Sequence, residues 1–188
     1  IVRATIESPR IAPTPMEPRA VLAWYDAARQ TYEIRCGNQG GLAMRDALAA
    51  MLGVKPAEMR VHMVDVGGAF GSRTQPFPEN ALLLHAAKKI GKPIKWTSTR
   101  SEDFVTDFHG RAIRVAGELA LDKDGKFLAF KTEWLCDSGA YLSSAGAMTN
   151  TSNGMSMSSG VYEVEAFYAR HRQVMTNTAP TSAFRGAG

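Results

Sequence analysis

The firmest folding instruction in this chain is a turn. Two β-rich runs, residues 112–121 and 126–136, flank Lys123-Asp124-Gly125. Asp-Gly between alternating apolar residues is a strong hairpin signal. Leu128, Phe130, Thr132, Trp134 and Cys136 fall on one face, and Ile113, Val115, Leu119 and Leu121 do so on the partner run. A second hairpin is predicted where residues 20–25 and 31–35 are separated by Asp26-Ala27-Ala28-Arg29-Gln30. Between the hairpins lie helical patterns. Met44, Ala47, Leu48 and Met51 recur at helical spacing with Gly53 at the expected stop, and residues 81–90 form an apolar helix ended by Gly91 and Pro93. Thr99-Arg100-Ser101-Glu102 has capping-box spacing for a short third helix. Residues 59–66, 94–97 and 164–174 read as strands. Strands and helices mix without strict βαβ alternation and long antiparallel hairpins are present, so the predicted fold class is α+β.

Two stretches read differently. Pro9, Pro13, Pro15 and Pro18 exclude a regular helix from residues 1–19 and predict an extended lead-in to a globular part over residues 20–188. Within it, Glu17 and Arg19 read as a surface or linker pair. Residues 138–160 are rich in Gly, Ser, Met, Thr and Asn; they read as a linker or, through Tyr141, Met148, Met155 and Met157, as a surface that packs against something.

Composition narrows the partners. The 188 residues carry a net charge of +4, which suits an anionic ligand but falls short of a nucleic-acid signature, and no polybasic run is present. Two cysteines make a reducing, cytoplasmic setting the default. No stretch has the length and apolarity of a membrane span, and no signal-peptide pattern is seen. The chain starts on Ile1 rather than Met, so a piece of a longer protein is expected.

The candidate chemistry lies in loops. Residues 61–66 drive into Gly67-Gly68-Ala69-Phe70-Gly71-Ser72-Arg73, where glycine allows positive φ and close approach of backbone N–H groups to a ligand. This loop lacks the G-x-G-x-x-G spacing of dinucleotide folds and the G-K-[ST] of a P-loop. His62, His85, His109 and His171 show no paired metal-ligand spacing, and no G-x-S-x-G elbow occurs. Three loops share a style instead: Gly37-Asn38-Gln39-Gly40, residues 67–73, and Ala183-Phe184-Arg185-Gly186-Ala187-Gly188 combine glycine with amide, aromatic or guanidinium side chains. Neutral donors plus Arg suit an anionic, oxygen-rich or phosphate-bearing cofactor.

These residues resemble the molybdenum hydroxylases, the group containing xanthine dehydrogenase, aldehyde oxidase and aerobic carbon monoxide dehydrogenase. Gly67-Gly68-Ala69-Phe70-Gly71-Ser72-Arg73 is similar to their GGxFGxK/R loop, and Asn38-Gln39 to their upstream glutamine segment. Residues 93–96 and 99–103, His109-Gly110-Arg111 and residues 122–125 resemble their shared intervening sequence. Residues 176–180 with Ala183-Phe184-Arg185-Gly186 resemble their second cofactor loop. The match is to the first part of the molybdopterin-binding region of the large, catalytic subunit, and implies an α+β cofactor-binding fold incomplete without the C-terminal half.

The resemblance implies molybdenum held by the dithiolene of molybdopterin, carried as a dinucleotide, with no direct side-chain ligand. Gln39 would hydrogen-bond an oxo group. Gly68, Ala69, Phe70 and Gly71 would line one side of the cofactor, and Ala183, Phe184, Arg185 and Gly186 the other. It implies hydroxylation of an electron-poor carbon with water-derived oxygen, electrons leaving through [2Fe-2S] centres and FAD on partner subunits or domains. The remainder of the large subunit and a small-molecule substrate complete the implied partners; nucleic acid and membrane are not among them. Three positions bear on substrate: Thr74 stands where the xanthine enzymes carry glutamate, Asn153 where they carry a substrate-binding arginine, and Ala187 where they carry an aromatic. These departures argue against purines, and the absence of a Cys-bearing second loop argues against carbon monoxide. An aldehyde or N-heterocycle is the expected substrate class. The family's catalytic base, a glutamate near the C-terminal end of the subunit, has no counterpart in Glu79, Glu102 or Glu118, so these residues alone are expected to be inactive. The other readings are a non-catalytic assembly lobe or separately encoded cofactor-binding lobe, and a general anion- or nucleotide-binding module.

Overall fold

The computed structural model describes residues 1–186. In chain order its strands and helices are β1 Val2–Ser8, β2 Ala20–Asp26, β3 Thr31–Cys36, α1 Gly41–Leu52, β4 Met59–His62, α2 Pro78–Ile90, β5 Ile94–Thr97, α3 Arg100–Thr106, β6 Ile113–Leu121, β7 Phe127–Gly139, α4 Gly146–Met148, α5 Gly154–Met157 and β8 Ala166–Met175. A π-helical turn, Thr149–Asn153, joins α4 to α5. The chain divides into two compact units, Thr14–Asp107 and Ile1–Pro13 with Phe108–Gly188. The α+β class holds: each unit is built on a mixed four-stranded sheet.

In the unit Thr14–Asp107 the strand order is β4-β3-β2-β5. The predicted hairpin is present, with Val21 opposite Cys36 and Tyr25 opposite Tyr32. Tyr32, Ile34 and Cys36 of β3 face a core shared with Met44 and Leu48 of α1 and Leu84 and Ala87 of α2. The helix stops are as expected: Gly53 and Gly91 sit in left-handed backbone at φ 67° and 70°. Thr99 forms its capping box, accepting from the Glu102 N–H while Glu102 Oε2 accepts from the Thr99 N–H at 2.6 Å. Met51 departs from expectation. It is half exposed, and the buried side of α1 is Met44, Leu48 and Ala49.

The strand predicted over residues 59–66 stops at His62. Its parallel partner β3 supplies register only as far as Arg35 opposite His62, and beyond Cys36 that partner turns away into the Gly37 loop. Without a neighbour to satisfy its backbone, the rest of the run cannot continue as a ladder. Glu17 and Arg19 are not a linker pair. Arg19 is 5% exposed, reaching Glu79 at 3.2 Å and Asp103 at 3.3 Å over the Phe77 ring.

In the unit Ile1–Pro13 with Phe108–Gly188 the order is β1-β6-β7-β8. The Asp-Gly hairpin is β6 and β7, pairing Ile113 with Cys136, Val115 with Trp134 and Leu119 with Phe130, so these predicted apolar positions share one face; a register shift past Ala120 puts Phe127 opposite Leu121, and Leu128, predicted on that face, is exposed. The lead-in predicted over residues 1–19 supplies a strand, β1, antiparallel to β6. The run predicted at 164–174 is β8, parallel to β7. The segment read as linker or packing surface is helical from Gly146 to Met157, with a π turn in its middle. Met148, Met155 and Met157 lie exposed along it.

Both cysteines are free and buried. Burial, against a smaller opposing pull from Arg73, pushes the Cys36 thiol up to about 11, and burial pushes Cys136 up to about 11. The thiolate is the reactive species. An aromatic disulfide reagent at pH 8 is therefore expected to modify neither cysteine in the native protein and both after unfolding; rapid native labelling of either, read by absorbance, would contradict this burial.

Candidate cofactor-binding loops

In the unit Thr14–Asp107, the glycine loop at 67–73 is held from a distance in sequence. Glu17 Oε2 accepts from the Gly67 N–H at 2.6 Å, and the Glu17 N–H donates to the Gly67 carbonyl at 3.0 Å. Arg73 Nη2 donates to the Glu17 carbonyl at 3.2 Å. Gly68 and Gly71 take φ 108° and 98°, which an L side chain rarely adopts. Phe70 takes φ 50° without being glycine. Such a conformation costs about 1–3 kcal/mol and persists only where its surroundings impose it. The sequence reading grouped the Arg73 guanidinium with the loop's ligand donors. The structure corrects this: Arg73 is 5% exposed and is spent inside the unit on Glu17 and against Phe77.

Gln39 joins this loop. Its backbone N–H donates to the Arg73 carbonyl at 3.1 Å, and its Oε1 accepts from the Gly71 N–H at 2.7 Å. An N–H can be met only by the oxygen end of an amide, so the Gln39 amide is oriented and its NH2 end is the one directed elsewhere. Gln39 is exposed, whereas Asn38 is buried and shapes the turn, donating to the Cys36 carbonyl and accepting from the Gly40 N–H. Thr74 turns back to the loop, its hydroxyl donating to the Gly71 carbonyl at 2.8 Å. Gln39, Gly68, Ala69, Phe70, Gly71 and Thr74 are thus one connected turn system.

In the other unit, the loop Ala183-Phe184-Arg185-Gly186 is gripped by a residue that the sequence reading gave no role. Arg111 Nη1 donates to the Phe184 carbonyl at 2.8 Å and Nη2 to the Arg185 carbonyl at 2.7 Å, while its guanidinium lies 5.2 Å from the Phe184 ring centroid. Arg111 and Ala112 both take positive φ, 65° and 61°. The signal was present in His109-Gly110-Arg111, but nothing local shows a contact 73 residues away. Arg185 and Gly186 are exposed. The stem before the loop is fixed by Asp137, which accepts from Thr176 Oγ1, the Gly139 N–H and Arg10 Nη2 at 2.7, 2.8 and 2.6 Å. Partial burial raises its carboxyl pKa, but the bonds from Thr176, Gly139 and Arg10 outweigh that and hold it below the usual carboxylate value. Asn153 sits half-buried in the π turn, and Ala187 lies outside the described residues.

The carboxylates set aside in the sequence have structural partners. Glu79 pairs with Arg19, Glu102 caps α3, and Glu118 pairs with Arg3 and Lys131. Of the histidines, His62 meets the buried Glu33 at 2.5 Å and His171 stacks on Trp134. Among the described residues no group of three or more His, Cys, Asp or Glu could hold a metal ion, and no helix is long and apolar enough to cross a membrane.

The fold and loops define a class. Residues 1–188 match the molybdopterin cofactor-binding domain family, and the chain belongs to it. It is 35% identical over 188 residues to the 6-hydroxypseudooxynicotine dehydrogenase complex subunit gamma of Paenarthrobacter nicotinovorans, covering 100% of this chain and 23% of that one. It is 27% identical to the carbon monoxide dehydrogenase large chain of Hydrogenophaga pseudoflava, covering 92% of this chain and 21% of that one. Among solved structures, quinoline 2-oxidoreductase from Pseudomonas putida 86 superposes with a TM-score of 0.93 at 30% identity, covering 100% of this chain and 24% of the other. The relatives are oxidoreductases of the molybdenum hydroxylase family, and the chain spans about a quarter of their length.

The grip of Arg111 predicts that Arg111→Ala lowers the stability of the fold by about 1.5–3 kcal/mol, the contribution of a hydrogen bond to a charged donor. A thermal melt unchanged from that of the unaltered protein would overturn it. Asp137 predicts a pH dependence. Its folded-state pKa is depressed, so its stabilisation is present above the ordinary carboxylate pKa and is lost as pH falls through the folded value. Asp137→Asn should flatten that acid-side loss of stability in thermal melts; an unchanged slope would contradict the anchoring role.

Proposed function

We propose that the loops around Gln39 and Arg185 face a molybdenum-bearing pterin, and that the full-length protein is a molybdenum hydroxylase acting on an aldehyde or N-heterocycle. The observation that carries this is the Gln39 amide. Its oxygen is committed to Gly71, which leaves a neutral N–H donor on an exposed side chain beside Phe70. That donor would suit an anionic, oxygen-rich group of a bound cofactor. The donor set also fits a metal held by its pterin: amides, loop backbone and one exposed guanidinium, with no cluster of anionic or imidazole ligands among the described residues. When bound, the cofactor would supply two-electron oxidation of a substrate carbon.

This chain's residues would bind and orient. Gln39 would donate to the cofactor, Gly68, Ala69, Phe70 and Gly71 would set the backbone of one contacting loop, and Ala183, Phe184, Arg185 and Gly186 that of another. Thr74, Asn153 and Ala187 would border the substrate, where the absence of an acidic and a basic side chain disfavours purines. Glu79, Glu102 and Glu118 are committed to ion pairs and a helix cap and are not assigned the catalytic base; the base would come from elsewhere in the full-length protein, and the chain alone would not turn over. Iron–sulfur and FAD subunits or domains would carry the electrons away. The second reading, a lobe serving subunit assembly, is favoured by the exposed Met148, Met155 and Met157.

Metal and pterin analysis of the purified full-length protein tests the proposal directly, with about one molybdenum and one pterin expected per chain. Arg185→Ala removes a charged hydrogen-bonding anchor, a loss of about 1.5–3 kcal/mol and hence roughly ten- to a hundredfold in cofactor affinity. Its molybdenum content after dialysis should fall well below that of the unaltered protein. Full occupancy would remove Arg185 from the binding set, and no molybdenum in either would overturn the reading.

A further inference from the structure

The sheet of the unit Thr14–Asp107 has two unlike faces. Tyr32, Ile34 and Cys36 of β3 turn one of them to the core with α1 and α2. The alternate residues turn the other way, and Arg35, Arg60 and Lys95 among them are exposed. Strand register sets His62, Arg35, Leu22 and Lys95 side by side in a row across β4, β3, β2 and β5. The adjoining row holds Arg60, Glu33 and Trp24.

The carboxylate in the middle of this face is hidden. Glu33 is 2% exposed. Trp24 and His62, on the strands to either side of it, stack with ring centroids 5.1 Å apart and planes inclined by 24°, so the two rings meet across β3. Glu33 Oε2 lies 2.5 Å from His62 Nε2, and its Oε1 accepts from the Thr31 hydroxyl at 2.8 Å. At the hairpin end, Asp26 accepts from the N–H groups of Ala28 and Arg29 and lies 3.7 Å from the Arg29 guanidinium. Both acids are therefore spent locally. Arg35, Arg60 and Lys95 form no ion pair among the described residues, and Arg35 only leans over the Trp24 ring, 6.0 Å from its centroid.

We propose that this face docks an acidic surface of a partner polypeptide, whose carboxylates meet Arg35, Arg60 and Lys95 around Leu22 and Trp24. Unpaired charges of one sign, fixed on strands, raise the local concentration of an opposite charge and speed its encounter. Leu22 and Trp24 are half-buried and supply an uncharged centre inside the cationic surround, the anatomy of a protein interface. The face is narrow, three strand spacings of about 4.8 Å each. That size fits a transient contact rather than a permanent one. A nucleic acid would call for a larger basic surplus than the chain's +4. The inference concerns this sheet face alone and is independent of the molybdenum reading.

The probe is fluorescein-labelled decaglutamate, followed by anisotropy and stopped flow on the full-length protein, with an oligothymidylate of equal length beside it. Saturable binding is expected at roughly 50 mM salt and should be about tenfold or more weaker at roughly 300 mM, since exposed charges are screened. Arg60→Glu and Lys95→Glu should each weaken binding about fivefold or more, chiefly through slower association. Lys123→Glu, at the exposed turn of the other unit, changes the net charge equally and should leave affinity within about twofold, because distant charges are screened. Where a charge reversal disturbs the fold, as judged by circular dichroism, Arg60→Gln and Lys95→Gln carry the test with smaller losses of the same kind. Absent binding, oligothymidylate binding as tight as that of decaglutamate, or an equal loss from Lys123→Glu would overturn the proposal. Protein without molybdenum that still binds decaglutamate sinks the cofactor reading and leaves this one standing.

Discussion

A loop made of glycine cannot hold its own shape. It lacks side chains to pack and has the most backbone freedom to lose on ordering. Something outside it must supply the order, and in each unit of this protein a charged side chain distant in sequence does so through backbone groups. Glu17 takes the Gly67 N–H across 50 residues, and Arg111 takes the carbonyls of Phe184 and Arg185 across more than 70. Both use charge-assisted hydrogen bonds, the stronger kind. Both leave side chains of the loop, Phe70 and Arg185, exposed. That separation between residues that hold the loop and residues it exposes is what the proposed cofactor contact would require.

The same separation governs how much could be read from the sequence. Where the cause of a structure is local, the reading is right: Asp124-Gly125 produces its hairpin, Thr99 and Glu102 cap each other, and Gly53 and Gly91 end their helices. Where the cause is a distant partner, the reading falls short. The β1 strand exists because β6 pairs with it. The run after His62 loses its strand because β3 stops offering partners.

The loops follow the same logic. Gln39, Phe70 and Arg185 stand in motifs with recognisable neighbours, and so were singled out. Glu17, Arg111 and the Arg10–Asp137 pair work through contacts invisible to any local pattern. Arg73 was misjudged for the converse reason. Its position beside a glycine loop looks like an anion contact, but the chain turns it inward to Glu17, where its burial makes it part of the frame.

The helical segment from Gly146 to Met157 shows why one stretch resisted even a type assignment. Its Ser, Thr, Asn and Gly content argues against a helix, because short polar side chains compete for backbone groups. Here that competition is accommodated within the helix. Thr151 and Ser152 hydroxyls donate to the carbonyls of Ala147 and Met148, four residues back, and Thr149 donates to that of Gly146. Such back-bonding often bends a helix, and here it coincides with the wider π turn at Thr149–Asn153. Glycine is equally purposeful. A Cβ at Gly154 would come within 2.8 Å of the His171 ring, so the residue that weakens the helix is the one that lets it lie against the sheet. Cys136 Sγ and His171 Nδ1 both meet the Asn150 carbonyl, a group that the π turn leaves accessible to the strands beneath it. Low helix propensity in this segment is therefore the consequence of a helix selected for close approach, with tertiary contacts supplying the order that its own sequence withholds.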